Sequence, residues 1–504
     1  MINLNYKTIK KLALIYMLLP TILFFFTWLR SYIAAAAIIL LLAGLIFAIR
    51  EDKAEDAHFI VLTKRSLILL VLIALIWCLF AGQGGFFYQS DDHYYRNAIF
   101  RDLINYSWPV VYDNNNSLVY YIGHWLVPSL FGKLTLQFGS EETAWLTANT
   151  ALLIWSTIGV VIVFLLLLVS VKAKSKKEKY LAIFIFILFS GLDIIGIMMQ
   201  CITNHRILMV NHLESYSGFW EYSSVSTLLF WVYNQAIVAW ISILLFYNEK
   251  KTSQYALIGL GCLPYAPIPL IGLFPFLIVN AIKRFWDKRG KHQLPEYFKE
   301  IFSIPNITAS LSIFPIFYLY YSSNRVVNTR GFGLSNGFAE RGIIKTAFVL
   351  ALFLMLEFGL YALLIWKKNK SNLNYYIAVI SLLAIPFIRL GDASDFVMRA
   401  SIPALTIVMI LVIKEVLDYP VTEKADHKSL KKKLYIVLLL VLLVGAVTPA
   451  FEFGRSGYKT LNGIKTDMGA KKELNSLADE KIDDIANFAT ANSDQLFFYK
   501  YLAK

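Results

Sequence analysis

The residues best suited to chemistry lie in one stretch between apolar segments, residues 82–143, here called the long loop. Adjacent carboxylates, Asp91 and Asp92, are followed there by His93 and Arg96 and then by many aromatic side chains. Carboxylates and an imidazole can exchange protons, and a guanidinium group can hold an anion. A loop this long and this rich in ionisable groups indicates a structured segment with a function of its own.

The two carboxylates also have a purely structural explanation. A short helix that starts near Asp91 and Asp92 would place them at its N-terminus, where the helix dipole stabilises anions. One of them could then serve only as the N-cap. Because adjacent residues point in different directions, one carboxylate can cap the helix while the other faces a cavity. The sequence leaves both explanations open.

A second segment, residues 201–224, carries His212, Glu214 and Glu221 among several aromatic residues. On a helix, His212 and Glu214 would diverge, and their spacing matches no metal-binding signature. Anchoring of the aromatic side chains at a membrane interface is one explanation of this segment. Binding of an acceptor or a lipid head group by the three ionisable residues is the functional one.

A third segment, residues 322–342, carries Arg330 and Arg341 between glycines. Arginine forms charge-assisted hydrogen bonds with phosphate, so these residues predict a site for an anion such as a lipid phosphate. Contact with anionic membrane head groups is the alternative.

A fourth segment, residues 389–399, carries Arg389 and leads directly into an apolar run. Within it, Asp395 and Arg399 are four residues apart, which predicts an ion pair on one helical face. That pair is either structural or part of a clamp for phosphate.

Composition indicates the class of protein that carries these groups. The 504 residues are 58% hydrophobic and 16% charged, with a mean hydropathy of +0.58. Soluble domains carry about 25% charged residues, so the chain is predicted to be a polytopic membrane protein. The net charge of +14 could suggest a nucleic-acid partner. The basic residues, however, cluster in short runs between apolar segments, as cytoplasmic loops do, so we expect no nucleic acid.

The apolar segments predict an all-α architecture of about 11–13 transmembrane helices. Residues 255–282 contain several prolines and are predicted to form a hairpin of two short helices. With the N-terminus in the cytoplasm, alternation of sides puts every basic run inside the plasma membrane. The same alternation puts the long loop, the other three segments and the C-terminus on the extracytoplasmic side.

Two domains are predicted from this pattern: a transmembrane unit of residues 1–451, which includes the long loop, and a tail of residues 452–504. Apolar residues of the tail recur at nearly helical spacing, which predicts an amphipathic cap on the outer face. A solvated tail is the alternative for its last residues.

The order of residues in the long loop resembles a known family. An acidic pair precedes aromatic residues and a short helix, and a Trp-Pro turn, an aromatic helix and a Phe-Gly pair follow. The matching residues are Asp91-Asp92, Tyr94-Tyr95, Ser107-Trp108-Pro109, residues 118–121, Trp125, Phe138-Gly139 and Glu141. This order is similar to the first external loop of the GT-C superfamily of membrane glycosyltransferases, which use sugars linked to a lipid phosphate. Asp stands at the second acidic position, where Glu is frequent in the family.

The resemblance implies a GT-C-like fold with a catalytic carboxylate at Asp91. Asp92 would support it or hold an optional divalent cation, Mg²⁺ or Mn²⁺, and no other cofactor is required. The donor would be a polyprenyl-phosphate-linked sugar, and the acceptor a surface glycan, a glycolipid or a protein. Such a transfer needs a base near the acceptor hydroxyl and cations that hold the departing phosphate.

We therefore predict a membrane glycosyltransferase with its site on the extracytoplasmic side. Its predicted phosphate ligands are Arg330, Arg341, Arg389 and Arg399. Its predicted contacts to acceptor or substrate are His93, Arg96, His212, Glu214, Glu221 and Asp395. A transporter or flippase for a lipid-linked saccharide is the competing class, and a scaffold of an envelope-glycan assembly complex is the third. Transporters often consist of two homologous halves, and this sequence shows no such repeat, which favours the enzyme.

Overall fold

The computed structural model describes residues 2–50, 59–112, 115–203, 205, 212–324, 330–391, 394–422, 430–466 and 474–504. Within these residues the chain is all-α, with three small antiparallel β-sheets of two or three strands. The predicted fold class is confirmed at the level of a helical chain with several helices long and apolar enough to span a membrane.

Helices account for most of the described residues. In chain order they are α1 (Tyr6–Trp28), α2 (Ser31–Arg50), α3 (Lys64–Phe80), α4 (His93–Asn105), α5 (Gly123–Leu136), α6 (Glu141–Val171), α7 (Lys176–Ile187), α8 (Asp193–Thr203), α9 (Val225–Asn248), α10 (Tyr255–Gly261), α11 (Pro267–Gly290), α12 (Leu294–Ile301), α13 (Ile304–Ser322), α14 (Ser335–Arg341), α15 (Ile343–Leu354), α16 (Leu360–Ile365), α17 (Leu373–Ala384), α18 (Asp395–Ala400), α19 (Ile402–Thr422), α20 (Leu430–Gly445) and α21 (Val447–Leu461). The strands are β1 (Ile2–Asn5), β2 (Phe59–Leu62), β3 (Val111–Tyr112), β4 (Asn116–Leu118), β5 (Arg330–Phe332), β6 (Ile388–Leu390) and β7 (Ala489–Thr490).

Eight helical segments among the described residues are long and apolar enough to cross a membrane. They are Tyr6–Trp28, Ser31–Arg50, Glu141–Val171, Val225–Asn248, Pro267–Gly290, Leu294–Ser322, Ile343–Lys368 and Lys431–Leu461. Two shorter apolar helices, Asp193–Thr203 and Leu373–Phe387, accompany them. The number is smaller than the about 11–13 spans predicted, because some of the apolar segments form short or interrupted helices.

One predicted span, residues 180–200, is interrupted in this way. Helix α7 ends at Ile187, and α8 begins only at Asp193, whose Oδ2 accepts a hydrogen bond from Ser190 Oγ at 2.8 Å. Gly191 lies in the interruption, where a Cβ atom would come within 2.2 Å of Glu357 Oε2. The chain therefore leaves the helical path at a position where only glycine allows the close approach of a buried carboxylate.

The proline-rich stretch at residues 255–282 also differs from expectation. Its first half forms the seven-residue helix α10, and α11 then starts at Pro267, a favourable first position because proline lacks an N–H group. The prediction of two short helices is wrong for the second half, since α11 continues through Pro275 for 24 residues.

Residues of several basic runs meet at the end of the bundle where α1 begins. Strand β1 pairs with β2, and Lys179 Nζ donates a hydrogen bond to the Val61 carbonyl at 2.8 Å. Lys10 forms a buried ion pair with Glu249, 2.6 Å from Nζ to Oε1. The basic runs at residues 7–11 and 172–179 therefore lie together, as the predicted alternation of sides requires.

The long loop and the C-terminal tail meet at the other end of α1, about 35 Å away along a helix of this length. Leu29 pairs with Ala503, and Arg30 Nε donates to the Ala503 carbonyl at 3.0 Å. Strand β7 of the tail also pairs with β4 of the long loop. The long loop and the described part of the tail thus form one layer.

The tail packs on the loop without forming the helix that its spacing predicted. Residues 474–504 consist of short turns, β7 and one π-helical turn, Phe498–Leu502. The ring of Phe488 lies 5.2 Å from that of Tyr95 and 5.0 Å from that of Tyr120. Helix α21 runs through residues 451 and 452, where a domain boundary was expected.

A buried carboxylate holds the tail against α4. Asp102 is 1% exposed, and its Oδ2 accepts hydrogen bonds from the Tyr112 hydroxyl at 2.8 Å and the Leu477 N–H at 3.0 Å. Burial raises the pKa of Asp102 to about 6, although hydrogen bonds from Ser476, Tyr112 and Leu477 oppose the shift. The contact between loop and tail is therefore sensitive to the charge of one group.

We expect Asp102→Asn to gain stability relative to the unchanged protein as the pH rises from about 4 to 7. Because the pKa of Asp102 is raised in the fold, its contribution to stability is present below about pH 4 and is lost as the pH rises through about 6. Asn stays neutral and can accept the same hydrogen bonds, so the difference in unfolding free energy grows by about 3 kcal/mol at most. Melting curves across this range measure it, and a constant difference in Tm would contradict the assignment.

Candidate functional site

Helix α4 starts directly after the two carboxylates of the long loop. Asp92 occupies the N-cap position with helical backbone angles, φ −59° and ψ −24°, and its side chain makes no capping hydrogen bond. Its Oδ2 instead accepts a hydrogen bond from Arg96 Nη2 at 2.7 Å, one turn further along. Asp91 precedes it and is exposed. Capping therefore does not explain Asp92, and the short helix predicted at this position is confirmed.

The start of α4 forms hydrogen bonds with α9 at a kink in that helix. Val232 has non-helical backbone angles, φ −134° and ψ 38°, and such a break leaves preceding carbonyl groups without their helical donors. Ser90 Oγ donates to the Phe230 carbonyl at 3.4 Å, and Arg96 Nη1 donates to the Trp231 carbonyl. These bonds fix the buried guanidinium of Arg96 between the long loop and α9.

The second segment brings His212, Glu214 and Glu221 together. His212 has an extended backbone, φ −147° and ψ 118°, and the 3₁₀-helix Leu213–Ser217 begins only after it. His212 Nε2 lies 3.4 Å from Glu214 Oε2 and 3.3 Å from Glu221 Oε1. The two residues do not share a helix, so the divergence expected of them on a helix does not apply here.

The charges of this cluster stabilise one another inside the protein. Burial lowers the pKa of His212, but the neighbouring carboxylates of Glu214, Glu221 and Glu452 outweigh burial and raise it well above its ordinary value. Burial raises the pKa of Glu214 to about 7, and His212 opposes that shift. Burial also acts to raise the pKa of Glu221, but His212 and Ser223 lower it overall.

Two residues that sequence reasoning missed complete the cluster from α21. Glu452 is 1% exposed, with its Oε1 3.5 Å from His212 Nδ1 and its Oε2 2.5 Å from Arg455 Nη2. The last predicted span ends at residue 451, which places Glu452 and Arg455 in the predicted tail. Opposite charges three residues apart at the end of an apolar run place both side chains on one helical face, and that spacing was the available signal.

A second pair of buried carboxyl groups, also missed, lies beside the cluster. Asp193 Oδ2 accepts a hydrogen bond from Thr448 Oγ1 at 2.8 Å, and Glu357 Oε1 accepts one from the Tyr216 hydroxyl at 2.7 Å. Glu357 stands in a π-helical turn, Met355–Gly359, inside a candidate span. An acidic residue within an apolar segment is costly unless it has a partner or a function, so its position in the sequence was a usable signal.

The long loop and the second segment are connected through Trp231. Asp92 pairs with Arg96, and Arg96 donates to the backbone carbonyl of Trp231. The indole Nε1 of Trp231 donates to Glu452 Oε2 at 3.3 Å, and Glu452 faces His212. Charged groups separated by more than a hundred residues of sequence thus form one continuous network.

The fourth segment contributes Arg399 to the same region. Its Nη1 binds both the side chain and the backbone carbonyl of Asp395, so the predicted ion pair is present. Arg399 is 6% exposed, and its Nε has no hydrogen-bond partner among the described residues. Burial opposes the charge of Arg399, but Asp395, Tyr121 and Tyr120 outweigh it and raise the pKa of the guanidinium.

Tyr120 and Tyr121 interact electrostatically with both Arg399 and Arg96. The two rings lie 3.7 Å apart. Asp92 therefore belongs to a region with two buried cations and two tyrosine hydroxyls. Such a set of donors can hold an oxyanion.

The other predicted phosphate ligands lie along the sheet formed by β5 and β6. Arg389 Nη1 donates to Asn336 Oδ1 at 2.7 Å. Arg341 Nη1 donates to the Ser217 carbonyl at 3.0 Å, and its guanidinium lies 4.5 Å from the ring centre of Phe219. Both side chains are already engaged by protein groups. Arg330 pairs with Leu390 through its backbone, and its side chain lies outside the described residues.

His93 is placed in the interior. Its Nδ1 lies 3.2 Å from Ser90 Oγ, and its ring stacks on Tyr233 with 5.6 Å between the ring centres. Burial, followed by the charge of Arg96, lowers the pKa of His93 to about 3, so the imidazole is neutral. A neutral histidine at this position packs α4 against α9.

Comparison of the chain with protein-family models, with curated proteins and with solved structures gives no match.

Proposed function

We propose that the chain is a membrane glycosyltransferase that moves a sugar from a polyprenyl-phosphate-linked donor to an acceptor hydroxyl. The acceptor is a surface glycan, a glycolipid or a protein. The observation that carries the proposal is a set of two buried guanidinium groups, Arg399 with a buried Nε donor unused by the described residues and Arg96 paired with Asp92. Both groups interact electrostatically with Tyr120 and Tyr121. This set supports an anion-binding region next to the acidic pair of the long loop.

The roles follow from the chemistry of the transfer. Asp91 accepts the proton of the acceptor hydroxyl, whose oxygen forms the new bond to the anomeric carbon of the sugar. The bond between that carbon and the phosphate oxygen breaks, and polyprenyl phosphate leaves. Arg399 and Arg96 stabilise the negative charge that develops on the phosphate. Asp92 keeps Arg96 in position through their ion pair.

The site belongs, in this proposal, to the extracytoplasmic side of the plasma membrane. Support comes from the two ends of α1: basic residues gather at one end, and the long loop and the tail share the other. Cytoplasmic loops carry the excess of Lys and Arg, so the basic end is assigned to the cytoplasm.

Cysteine labelling in intact cells tests this orientation. We expect Ser107→Cys in the long loop and Ala478→Cys in the tail to react with an impermeant thiol reagent, since both residues are exposed. Lys177→Cys, exposed in a basic run, should react only after permeabilisation. The variants are made in a protein without Cys78, Cys201 and Cys262. Labelling of Lys177→Cys in intact cells, or protection of the other two, would contradict the orientation.

The function is tested with the purified protein and a panel of polyprenyl-phosphate sugars. An envelope extract from the source cells supplies acceptors, and release of sugar-free polyprenyl phosphate is measured. We expect sugar-free polyprenyl phosphate to be released from at least one donor of the panel, and only when the protein is present. Absence of release with every hexose and pentose donor of the panel would contradict it.

Transport of a lipid-linked saccharide is the second candidate, and one observation favours it. Asp193 and Glu357 are both buried, and Glu357 lies inside a candidate span. Intramembrane carboxyl groups are typical of proton-coupled transporters. Movement of the intact donor across a bilayer, with no release of polyprenyl phosphate, would support this candidate.

A further inference from the structure

We propose that a divalent transition-metal ion of the Mn²⁺ or Zn²⁺ type binds between His212, Glu214 and Glu221. One ligand atom from each of the three residues lies within 4.8 Å of the others. This site goes beyond the proposed transferase activity, because metal binding requires no sugar transfer. It also assigns the cation to residues other than Asp92, whose Oδ2 is engaged by Arg96.

The distances around His212 Nε2 favour a shared metal over hydrogen bonds alone. This nitrogen faces two carboxylate oxygens, Glu214 Oε2 at 3.4 Å and Glu221 Oε1 at 3.3 Å. A ring nitrogen carries one hydrogen at most, and charge-assisted bonds are shorter, about 2.7–2.9 Å. Ligands about 2.1 Å from a tetrahedral metal are separated by about 3.4 Å, which is the spacing of His212 Nε2 from each of the two carboxylate oxygens.

The carboxylate of Glu214 provides a second, independent observation. Glu214 is 1% exposed, and its Oε1 accepts a hydrogen bond from the Ser224 N–H at 2.8 Å. Its other oxygen, Oε2, points toward His212 and has no hydrogen-bond partner among the described residues. A buried carboxylate oxygen without such a partner is costly, and a cation would satisfy it.

The surroundings also match those of a metal-bound histidine. A ligating imidazole usually directs its second nitrogen at a carboxylate, which fixes the ring. Glu452 Oε1 lies 3.5 Å from His212 Nδ1, and Arg455 and Trp231 hold Glu452 in place. Ser394 Oγ donates to Glu221 Oε2 at 3.3 Å and orients that ligand.

The donor set determines the class of metal. One imidazole nitrogen with carboxylate oxygens suits Mn²⁺ or Zn²⁺, whereas Mg²⁺ and Ca²⁺ prefer oxygen ligands only. Three protein ligands leave at least one coordination position open, as in catalytic metal sites.

Binding of Mn²⁺ alone to the full-length purified protein tests the site. After treatment with a chelator and its removal, Mn²⁺ is added and the free ion is measured by electron paramagnetic resonance. We expect one ion bound per chain, and a loss of affinity of at least about tenfold in Glu214→Gln and Glu221→Gln. In Glu214→Gln the amide oxygen can still accept from the Ser224 N–H, and in Glu221→Gln it can accept from Ser223 while the NH2 group donates to the Ser394 hydroxyl. Matched melting temperatures confirm that the variants fold.

Two variants serve as controls for this experiment. Asp102→Asn removes a buried carboxylate outside the cluster, and Asp92→Asn removes the alternative ligand, so both should bind Mn²⁺ as the unchanged protein does. Absence of a stoichiometric ion would overturn the proposal and identify the cluster as an ion-pair network. Unchanged affinity in both glutamine variants would overturn it as well. Because no turnover is measured, either failure is distinct from a failure of the transferase proposal.

Discussion

Replacement of Asp91 by Asn is expected to lower the rate of sugar transfer by about 10²–10⁴-fold, the range for loss of a general base. Asn has the same shape as Asp and lacks the proton acceptor. Asp91 is exposed at the start of α4, where Asn is as good a capping residue as Asp, so the substitution should cost little stability. We therefore expect an unchanged melting temperature together with the loss of turnover.

The control for this variant is Asp483→Asn, which changes an exposed carboxylate of the tail. It should transfer sugar at the normal rate. A well-folded Asp91→Asn protein with near-normal turnover would contradict the assignment of the base. Loss of activity in Asp92→Asn alone would move the role one residue along the chain.

Arg399→Gln is expected to raise the KM for the donor by about 10- to 100-fold. One charge-assisted hydrogen bond to phosphate is worth about 1.5–3 kcal/mol, which corresponds to that range. The Nε of Arg399 is buried and has no hydrogen-bond partner among the described residues, and we assign it to a phosphate oxygen of the donor. The side chain of Asp395 is 47% exposed, so the substitution leaves no buried carboxylate without a partner. We therefore expect the fold to persist.

Arg289→Gln is a suitable control, because Arg289 is exposed at the end of α11, against Trp286. Its donor KM should equal that of the unchanged protein. An unchanged donor KM in Arg399→Gln would contradict a phosphate contact at Arg399. Arg96 would then be the remaining proposed phosphate ligand. Steady-state kinetics with a polyprenyl-phosphate sugar provide the measurement.

Local pattern was sufficient to predict several parts of this fold. Long apolar runs predicted membrane-crossing helices, because a helix must satisfy its own backbone hydrogen bonds within the bilayer. The spacing of Asp395 and Arg399 predicted their ion pair, and the acidic pair at Asp91 and Asp92 predicted the start of α4. Each of these features depends on residues within about one helical turn or one apolar segment.

The cluster around His212 could not be predicted in the same way. Its geometry depends on an extended residue before a 3₁₀-helix, whereas the spacing of two residues can be assessed from sequence only for a regular helix. Glu452 reaches His212 only because α21 continues past residue 451 and packs beside the kink of α9 at Val232. Contacts between such distant residues arise from the packing of whole helices, which no short pattern determines.

Interruptions of helices explain the remaining differences. The sequence at residues 180–200 is apolar enough to suggest one span, yet Ser190 and Asp193 hydrogen-bond locally and start α8 separately. Serine and aspartate are favoured at helix starts and turns over helix interiors. Apolar composition therefore predicted where the chain crosses the bundle but not where each helix ends.

The most direct test of the account uses proteoliposomes and a donor with one radioactive label on the sugar and a second on the phosphate. Envelope acceptors are present on the side that the long loop faces. If the protein transfers sugar, the sugar label moves to the acceptor while the phosphate label remains in sugar-free polyprenyl phosphate. With Asp91 as the base, Asp91→Asn abolishes this separation of the labels. Labels that stay together, whether the donor crosses the bilayer or remains in place, would contradict sugar transfer by this protein.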